Sequence, residues 1–229
     1  IILDNNYCDS KKLKVLANGS SNGIDTAYFN PELYTEEQNL RLENELGIQT
    51  DDFVFIFVGR LVKDKGINEM VSAFELLQKE NSSLKLLLVG DYENDLDPLN
   101  PKTVESINTN SSILAVGFKN DVRPYLAIAN VLVFPSYREG FPNVVMQAGA
   151  MGLPSIVSDI NGCNEIIIDQ ENGLIIPVKD EMAIFLAMKK VVSNSSLTST
   201  MISNSRQMIV SRYEQKVVWE AILSEYRTF

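Results

Sequence analysis

The sequence predicts an α/β protein with a Rossmann-like, doubly wound parallel sheet that is covered by helices on both faces. Short apolar runs alternate with helical patterns along the chain. Most of these runs are continuously apolar, as expected of strands that are buried on both faces. With 229 residues, 45% of them hydrophobic, the chain is also long enough to form a substantial core.

The apolar runs predict the strands in chain order. They are LKVLA (13–17), FVFIFVG (53–59), LKLLLVG (84–90), SILAVG (112–117), NVLVFPS (130–136), PSIVSD (154–159) and GLIIPV (173–178). Residues 18–35 are rich in Gly, Ser, Asn and Pro and read as a turn and linker before a polar helix at 36–46. We therefore divide the chain into a connection with a first strand at 1–35 and a domain at 36–229.

Helical periodicity fills the intervals between the strands. The clearest stripe consists of Ile67, Met70, Val71, Phe74 and Leu77. From Glu181 to Phe229 the pattern is all helical, and its last part has an apolar face made of Tyr213, Val217, Trp219, Ile222, Leu223 and Tyr226. Such a broad stripe predicts a helix that packs on another surface.

Composition excludes several classes of function. The formal net charge of -10 disfavours nucleic-acid binding, and the absence of histidine removes imidazole bases and histidine-based metal sites. Cys8 and Cys163 are too few for a disulfide framework, so reduced thiols and a cytoplasmic setting are expected. No apolar stretch approaches the ~20 residues that span a bilayer.

Two cations follow the first strand of the predicted domain. Gly59, Gly90 and Gly117 each end a predicted strand and should mark one rim of the sheet. Arg60 and Lys65 lie on that rim and suit an anionic oxygen cluster such as a diphosphate. The alternative is a solvated basic loop whose cations pair with nearby acids. Neither a dinucleotide fingerprint nor a P-loop motif is present.

A second candidate segment is PSYREGFPNVVMQAGAMGLP at 135–154, where a strand leads into a helix with Pro142 at its first position. Backbone N–H groups of Gly140, Phe141, Asn143 and Val144 could face an anion there. Glu139 projects a carboxylate into the same mouth. The alternative is that Glu139 only interacts with the positive end of the helix.

Both segments together resemble the nucleotide-sugar-binding half of retaining glycosyltransferases with the GT-B fold, family 4 type, which build bacterial surface polysaccharides, including capsule and lipopolysaccharide, and glycolipids. The matching stretches are Gly59-Arg60 with Lys65-Gly66, Glu139-Gly140-Phe141-Pro142-Asn143, and residues 152–180. Each motif is weak alone, but they occur in the order of the family over residues 13–225.

The resemblance implies roles for single residues. Arg60 and Lys65 would grip the donor diphosphate and stabilise the departing nucleotide, with Gly59 beside them. Glu139 would lie near the transferred sugar. The backbone around Phe118 and Lys119 would read the base, although Phe118 equally fits a core position.

One position departs from the motif of the family. Its second glutamate, which binds the donor ribose, is here Gln147. An amide accepts one hydroxyl and donates to another, but it does not supply two charged acceptors. The alternative for Gln147 is an exposed helical position.

The resemblance also implies partners and limits. The donor would be a nucleoside-diphosphate sugar, with uridine favoured by family frequency, and no cofactor or metal is expected because Arg60 and Lys65 hold the electrostatic role. The chain begins abruptly without methionine, so we expect a missing N-terminal domain that binds a saccharide or lipid-linked acceptor. The isolated domain should then be inactive and self-associate. The complete enzyme would be cytoplasmic or peripheral at the inner face of the plasma membrane.

Two other functions remain open. A nucleotide-sugar epimerase of the same fold would need proton-transfer groups near the sugar, against which the lack of histidine argues. A non-catalytic nucleotide-binding domain would explain Gln147.

Overall fold

The computed structural model describes Leu3, residues 5–93 and residues 95–228. Six strands lie in this part of the chain: β1 (Phe53–Val58), β2 (Leu84–Val89), β3 (Ile113–Ala115), β4 (Val131–Phe134), β5 (Ser155–Ser158) and β6 (Gly173–Ile176). They form one parallel sheet in the order β3-β2-β1-β4-β5-β6. This order confirms the Rossmann-like prediction and places the topological switch point between β1 and β4.

The described helices cover both faces of the sheet. They are α1 (Glu36–Leu46), α2 (Ile67–Gln78), α3 (Pro101–Thr109), α4 (Arg123–Ala127), α5 (Asn143–Ala150), α6 (Cys163–Ile166), α7 (Glu181–Ser193), α8 (Ser195–Tyr213) and α9 (Gln215–Tyr226). Short 3-10 turns occupy Ser10–Lys12, Pro31–Leu33 and Lys63–Lys65. The predicted helix at 36–46 is confirmed, with Thr35 forming a capping box with Gln38 at its start.

The core confirms why the strands read as continuous apolar runs. Consecutive residues of β1 and β2, among them Phe55, Ile56, Phe57, Leu86 and Leu87, are all fully buried. Since neighbouring residues of a strand point to opposite faces, both faces must be covered. Helix α2 packs beside α7, and α5 packs beside α8.

The predicted strand at 13–17 is wrong. The structure has no strand there, and Val15 is 81% exposed. The segment lies instead against the last two helices, where Lys14 pairs with Glu225 and the Asn18 side chain donates to the Arg212 carbonyl (3.0 Å). An apolar run becomes a strand only if a neighbour pairs with it, and here β3 and β6 remain the edges.

The predicted apolar face of the last helical segment is divided. Tyr213 ends α8 and is fully buried, whereas Val217, Trp219, Leu223 and Tyr226 lie exposed on α9. Glu214 separates the two helices with an extended backbone, and its carboxylate accepts the Thr26 hydroxyl and N–H. No described helix is long and apolar enough to cross a bilayer.

Candidate functional site

The segments that follow β1 and β4 meet at the switch point. Gly66, with φ 72°, ends the 3-10 turn of Lys63–Lys65 and begins α2. A Cβ at this position would lie 2.2 Å from the Pro135 carbonyl oxygen, so only glycine permits this backbone approach. The Tyr137 N–H donates to the Asp64 carbonyl (2.8 Å), which joins the two segments further.

Lys65 and Glu139 form an ion pair at this junction. The Lys65 ammonium donates to Glu139 Oε1 at 2.6 Å, and the side chains are only 14% and 16% exposed. The structure therefore brings together two predicted site residues that are 74 positions apart. Lys65 thus pairs with an acid in a half-buried junction and not in the solvated loop that the alternative expects, and its contact with a diphosphate stays a prediction. The alternative that Glu139 interacts only with a helix end is wrong.

A buried thiol lies close to this ion pair. Cys163 begins α6 and is fully buried. Burial, helped by the Glu139 carboxylate and opposed by the Lys65 ammonium, raises the pKa of the thiol to about 12. Gly162 presses against the chain before α5, since its Cβ would lie 2.3 Å from the Gly140 carbonyl oxygen. The loop after β5 thus forms one wall of the site.

Helix α5 starts one residue later than predicted. Pro142 is its N-cap rather than its first residue, because the ψ of 110° at Pro142 is extended. The N–H groups of Asn143 and Val144 belong to the first turn, where no helical carbonyl is available to accept them. No side chain caps this end of the helix either. Gly140 and Asn143 are exposed and Val144 is half-buried.

Two further residues around α5 are placed by packing. Phe141 is half-buried and packs edge-on against Tyr213, with ring centroids 5.6 Å apart. Gln147 lies one helical turn after Asn143, the first residue of α5, and is half-buried. The exposed alternative for Gln147 is therefore not what the structure shows, and its contact with a ribose stays a prediction.

A cavity of about 360 Å³ lies at the carboxyl ends of β1 and β2. Backbone hydrogen bonds align its rim, from Gly59 N–H to the Val89 carbonyl (2.9 Å) and from Gly90 N–H to the Gly117 carbonyl (3.0 Å). The lining residues are Val58, Gly59, Arg60, Val89, Gly90, Asp91, Phe118, Lys119 and Val122. The cavity thus joins the predicted cation to the predicted base-reading residues.

The side chains of this cavity settle one alternative. Phe118 is 66% exposed, so the core alternative for this aromatic residue is wrong. Lys119 places its ammonium 5.6 Å from the centroid of the Tyr125 ring. Arg60 pairs with Glu93, and the two side chains are 56% and 36% exposed. This pairing is what the nearby-acid alternative expects, and the contact of Arg60 with a diphosphate stays a prediction.

Sequence reasoning missed Asp91 as part of this site. Its carboxylate accepts the Phe118 N–H at 2.9 Å and lines the cavity. Asp91 directly follows the rim glycine Gly90, and that position was the available signal. The arrangement combines two cations, an uncapped helix start and a carboxylate, which suits an anionic ligand with a neutral polar group beside it. No cluster of His, Cys, Asp or Glu in the described ranges could hold a metal ion.

Comparison with protein families and curated proteins places the chain in a known group. The family described as Glycosyl transferases group 1 matches residues 39–208. The capsular polysaccharide biosynthesis glycosyltransferase CapM of Staphylococcus aureus is 31% identical over 229 residues, which is 100% of this chain and 58% of CapM. The chain spans 52% of the length of each of the next two curated relatives.

Solved structures share the fold. Anabaena Alr3699/HepE, crystallised in complex with UDP, matches with a TM-score of 0.84 at 18% identity, over 99% of this chain and 60% of that one. The C-terminal domain of the group 1 glycosyl transferase LpcC from Francisella tularensis matches with a TM-score of 0.73 at 22% identity, over 84% of this chain and 99% of that domain. The fold is thus that of one domain of the GT-B glycosyltransferases.

Proposed function

This chain belongs to the glycosyl transferases group 1 family, and on that premise we propose that it binds the nucleoside-diphosphate sugar donor of a retaining glycosyltransferase. The enzyme would transfer the sugar to a growing surface polysaccharide or glycolipid. The observation that carries the proposal is the meeting of Lys65 and Glu139 at the switch point. This places a cation that can bind the leaving group next to a carboxylate that can bind the sugar, so one nucleotide-sugar molecule could contact both.

The donor diphosphate would lie between Arg60, Lys65 and the start of α5. Both cations neutralise the charge that develops on the departing nucleoside diphosphate, so the reaction needs no metal ion in this proposal. N–H groups of Gly140, Phe141, Asn143 and Val144 add partial positive charge at the same place. Arg60 must leave Glu93 to reach the diphosphate, which is a small cost because this pair is exposed.

Glu139 would accept hydrogen bonds from hydroxyls of the transferred sugar and favour positive charge at its anomeric carbon. In a retaining reaction of this kind, a phosphate oxygen of the donor takes the proton of the acceptor hydroxyl as it attacks from the same face. The position that is a second glutamate in the motif is Gln147, so a pair of carboxylates working as in glycosidases has no support here.

The base would occupy the cavity beside Arg60. Its volume of about 360 Å³ and the exposed ring of Phe118 provide a face for a stacked base, and the backbone near Lys119 provides hydrogen-bond groups. We favour uridine because HepE, which shares the fold, was crystallised with UDP.

Catalysis would require a second domain that holds the acceptor. The chain spans 58% of CapM, which supports an acceptor-binding domain in the complete protein. Positioning of an acceptor accounts for ~7–11 kcal/mol of a barrier, so the 229-residue chain alone should not transfer sugar. The exposed face of α9 also supports self-association of the isolated chain, which sedimentation at several concentrations would measure.

A non-catalytic nucleotide-binding domain is the second candidate, and Gln147 is the observation that favours it. Sugar transfer by the complete protein, assayed with a panel of nucleotide sugars, separates the two functions.

Calorimetric titration of the chain with UDP, in the presence of EDTA, tests the binding proposal. Arg60→Ala and Lys65→Ala should each cost about 1.5–3 kcal/mol, the scale of a charge-assisted hydrogen bond, which is roughly tenfold or more in the dissociation constant. Lys63→Ala, which removes an exposed cation from the same turn, is the control and should change little. Wild-type affinity in both test variants, with the fold intact, would refute the diphosphate assignment.

A further inference from the structure

Glu139 lies on a segment that has neither helix nor strand. The chain between Phe134, the end of β4, and Asn143, the start of α5, is irregular. A carboxylate on such a segment stays in one place only if other contacts hold the backbone. The distance of 2.6 Å between Lys65 and Glu139 therefore depends on whatever anchors residues 135–142.

Tyr137 provides two anchors, one from its backbone and one from its side chain. Its N–H donates to the Asp64 carbonyl at 2.8 Å, and its hydroxyl donates to Glu69 Oε1 at 2.6 Å. Asp64 directly precedes Lys65, and Glu69 lies in the first turn of α2. Both acceptors thus belong to the piece of chain that carries Lys65, so Tyr137 links the two halves of the ion pair.

The phenol is suited to this task because it keeps its proton. Burial raises the pKa of Tyr137, and the hydrogen bond to the Glu69 carboxylate raises it further. Lys179 lies over the ring, 4.8 Å from its centroid, which holds the aromatic plane. Among the described residues, Glu69 Oε2 is buried without a hydrogen-bond partner. Loss of the phenol would leave the other oxygen of this half-buried carboxylate without its hydrogen bond as well.

We propose that Tyr137 is a positioning residue of the site, and that the hydrogen bond from its hydroxyl to Glu69, together with the bond from its backbone to Asp64, holds Glu139 beside Lys65; the hydroxyl bond is the one that side-chain variants can remove. This inference rests on the proposed function for its catalytic meaning. Its structural part, the dependence of the Lys65–Glu139 distance on Tyr137, stands on the geometry alone.

Tyr92 offers a matched control. Its hydroxyl is also buried, but it has no hydrogen-bond partner in the part of the chain that the structure describes. Tyr92→Phe removes the same atom as Tyr137→Phe without breaking a hydrogen bond, so it should leave the site unchanged.

Crystal structures of the 229-residue chain with Tyr137→Phe and with Tyr92→Phe test the structural part. We expect Glu139 to leave Lys65 or to occupy several conformers in Tyr137→Phe, and to keep the ion pair in Tyr92→Phe. An unchanged ion pair in Tyr137→Phe would overturn the inference. If Tyr137→Phe does not fold, Glu69→Leu removes the same hydrogen bond from the side of the helix, while Glu69→Gln keeps an acceptor and should retain the pair.

Binding and turnover test the functional part. In Tyr137→Phe, UDP binding by the chain should not weaken, because Arg60 and Lys65 both remain. In the complete enzyme, kcat should fall about tenfold to a hundredfold with little change in KM for the donor, as expected when a reacting group is displaced. Equal losses in UDP binding and turnover would overturn the positioning role. If the wild-type chain does not bind UDP, the proposed function fails, and the crystal comparison still decides the inference.

Discussion

Glu139→Gln should tighten the binding of UDP while it abolishes sugar transfer. In the structure Glu139 occupies a hydrogen-bond position on the Lys65 ammonium at 2.6 Å. A diphosphate must share or replace this contact, so the carboxylate competes with the ligand for the cation. It also places a negative charge next to an anionic ligand.

The magnitude follows from what the substitution removes. Glutamine keeps the shape and an acceptor oxygen but has no charge. The contact between residue 139 and the Lys65 ammonium therefore weakens by the difference between a charge-assisted and a neutral hydrogen bond, about 1 kcal/mol. The two side chains are 14% and 16% exposed, so solvent screens this difference only in part. UDP binding should become about fivefold tighter.

Calorimetric titration of the folded variant with UDP measures this change. Glu93→Gln is the matched control, since it makes the same substitution in the exposed pair with Arg60 and should alter the affinity by less than about twofold. In Glu139→Gln, the rate of sugar transfer by the complete enzyme should fall by a much larger factor than the factor by which UDP affinity changes. If Glu139→Gln weakened UDP binding fivefold or more, Glu139 would contact the nucleotide itself, and the reasoning from competition would be wrong.

Three more changes test other parts of the structure. Gly66→Ala places a Cβ 2.2 Å from a backbone carbonyl oxygen at φ 72° and should lower the free energy of unfolding by about 2–4 kcal/mol. In Gly47→Ala the φ is similar but no atom lies within 4 Å of the new Cβ, so the free energy of unfolding, measured by urea titration, should fall by only about 1 kcal/mol. Equal losses of stability in the two variants would contradict the role of the close backbone approach at Gly66. Gln147→Glu should tighten UDP but not 2′-deoxy-UDP if this side chain meets the ribose, whereas equal changes for both nucleotides would exclude that contact. Burial raises the pKa of Cys163 to about 12, so its thiol stays protonated below that pH. At pH 8 a thiol reagent should therefore label Cys8 in the native chain and label Cys163 only after unfolding. Fast labelling of Cys163 in the native chain would contradict this expectation.

The sheet could be predicted because its strands are buried on both faces. Continuous runs such as residues 54–57 and 86–89 are fully or almost fully buried, and this burial leaves a local pattern in the sequence. The run at 13–17 has a similar composition but failed, since nothing in its own five residues records whether a neighbouring strand is available. The division of the last helical face at Glu214 depends likewise on the distant Thr26.

The site was predicted only as far as its rim. A strand-end glycine placed Arg60 and Lys65 at one edge of the sheet, and the end of the next predicted strand of the site placed Glu139 there, because all strands are parallel. The pairing of Lys65 with Glu139, and of Tyr137 with Glu69, joins residues 74 and 68 positions apart. Such contacts depend on how closely the loops after β1 and β4 approach each other. Gly66 permits that approach, but no local sequence pattern reports it.

A crystal structure of the 229-residue chain soaked with UDP tests the central claim most directly. We predict that the diphosphate oxygens lie within hydrogen-bond distance of Arg60, Lys65 and the first N–H groups of α5, with the uracil in the cavity beside Phe118. Nucleotide bound elsewhere on the chain, or a diphosphate that contacts neither Arg60 nor Lys65, would contradict the account.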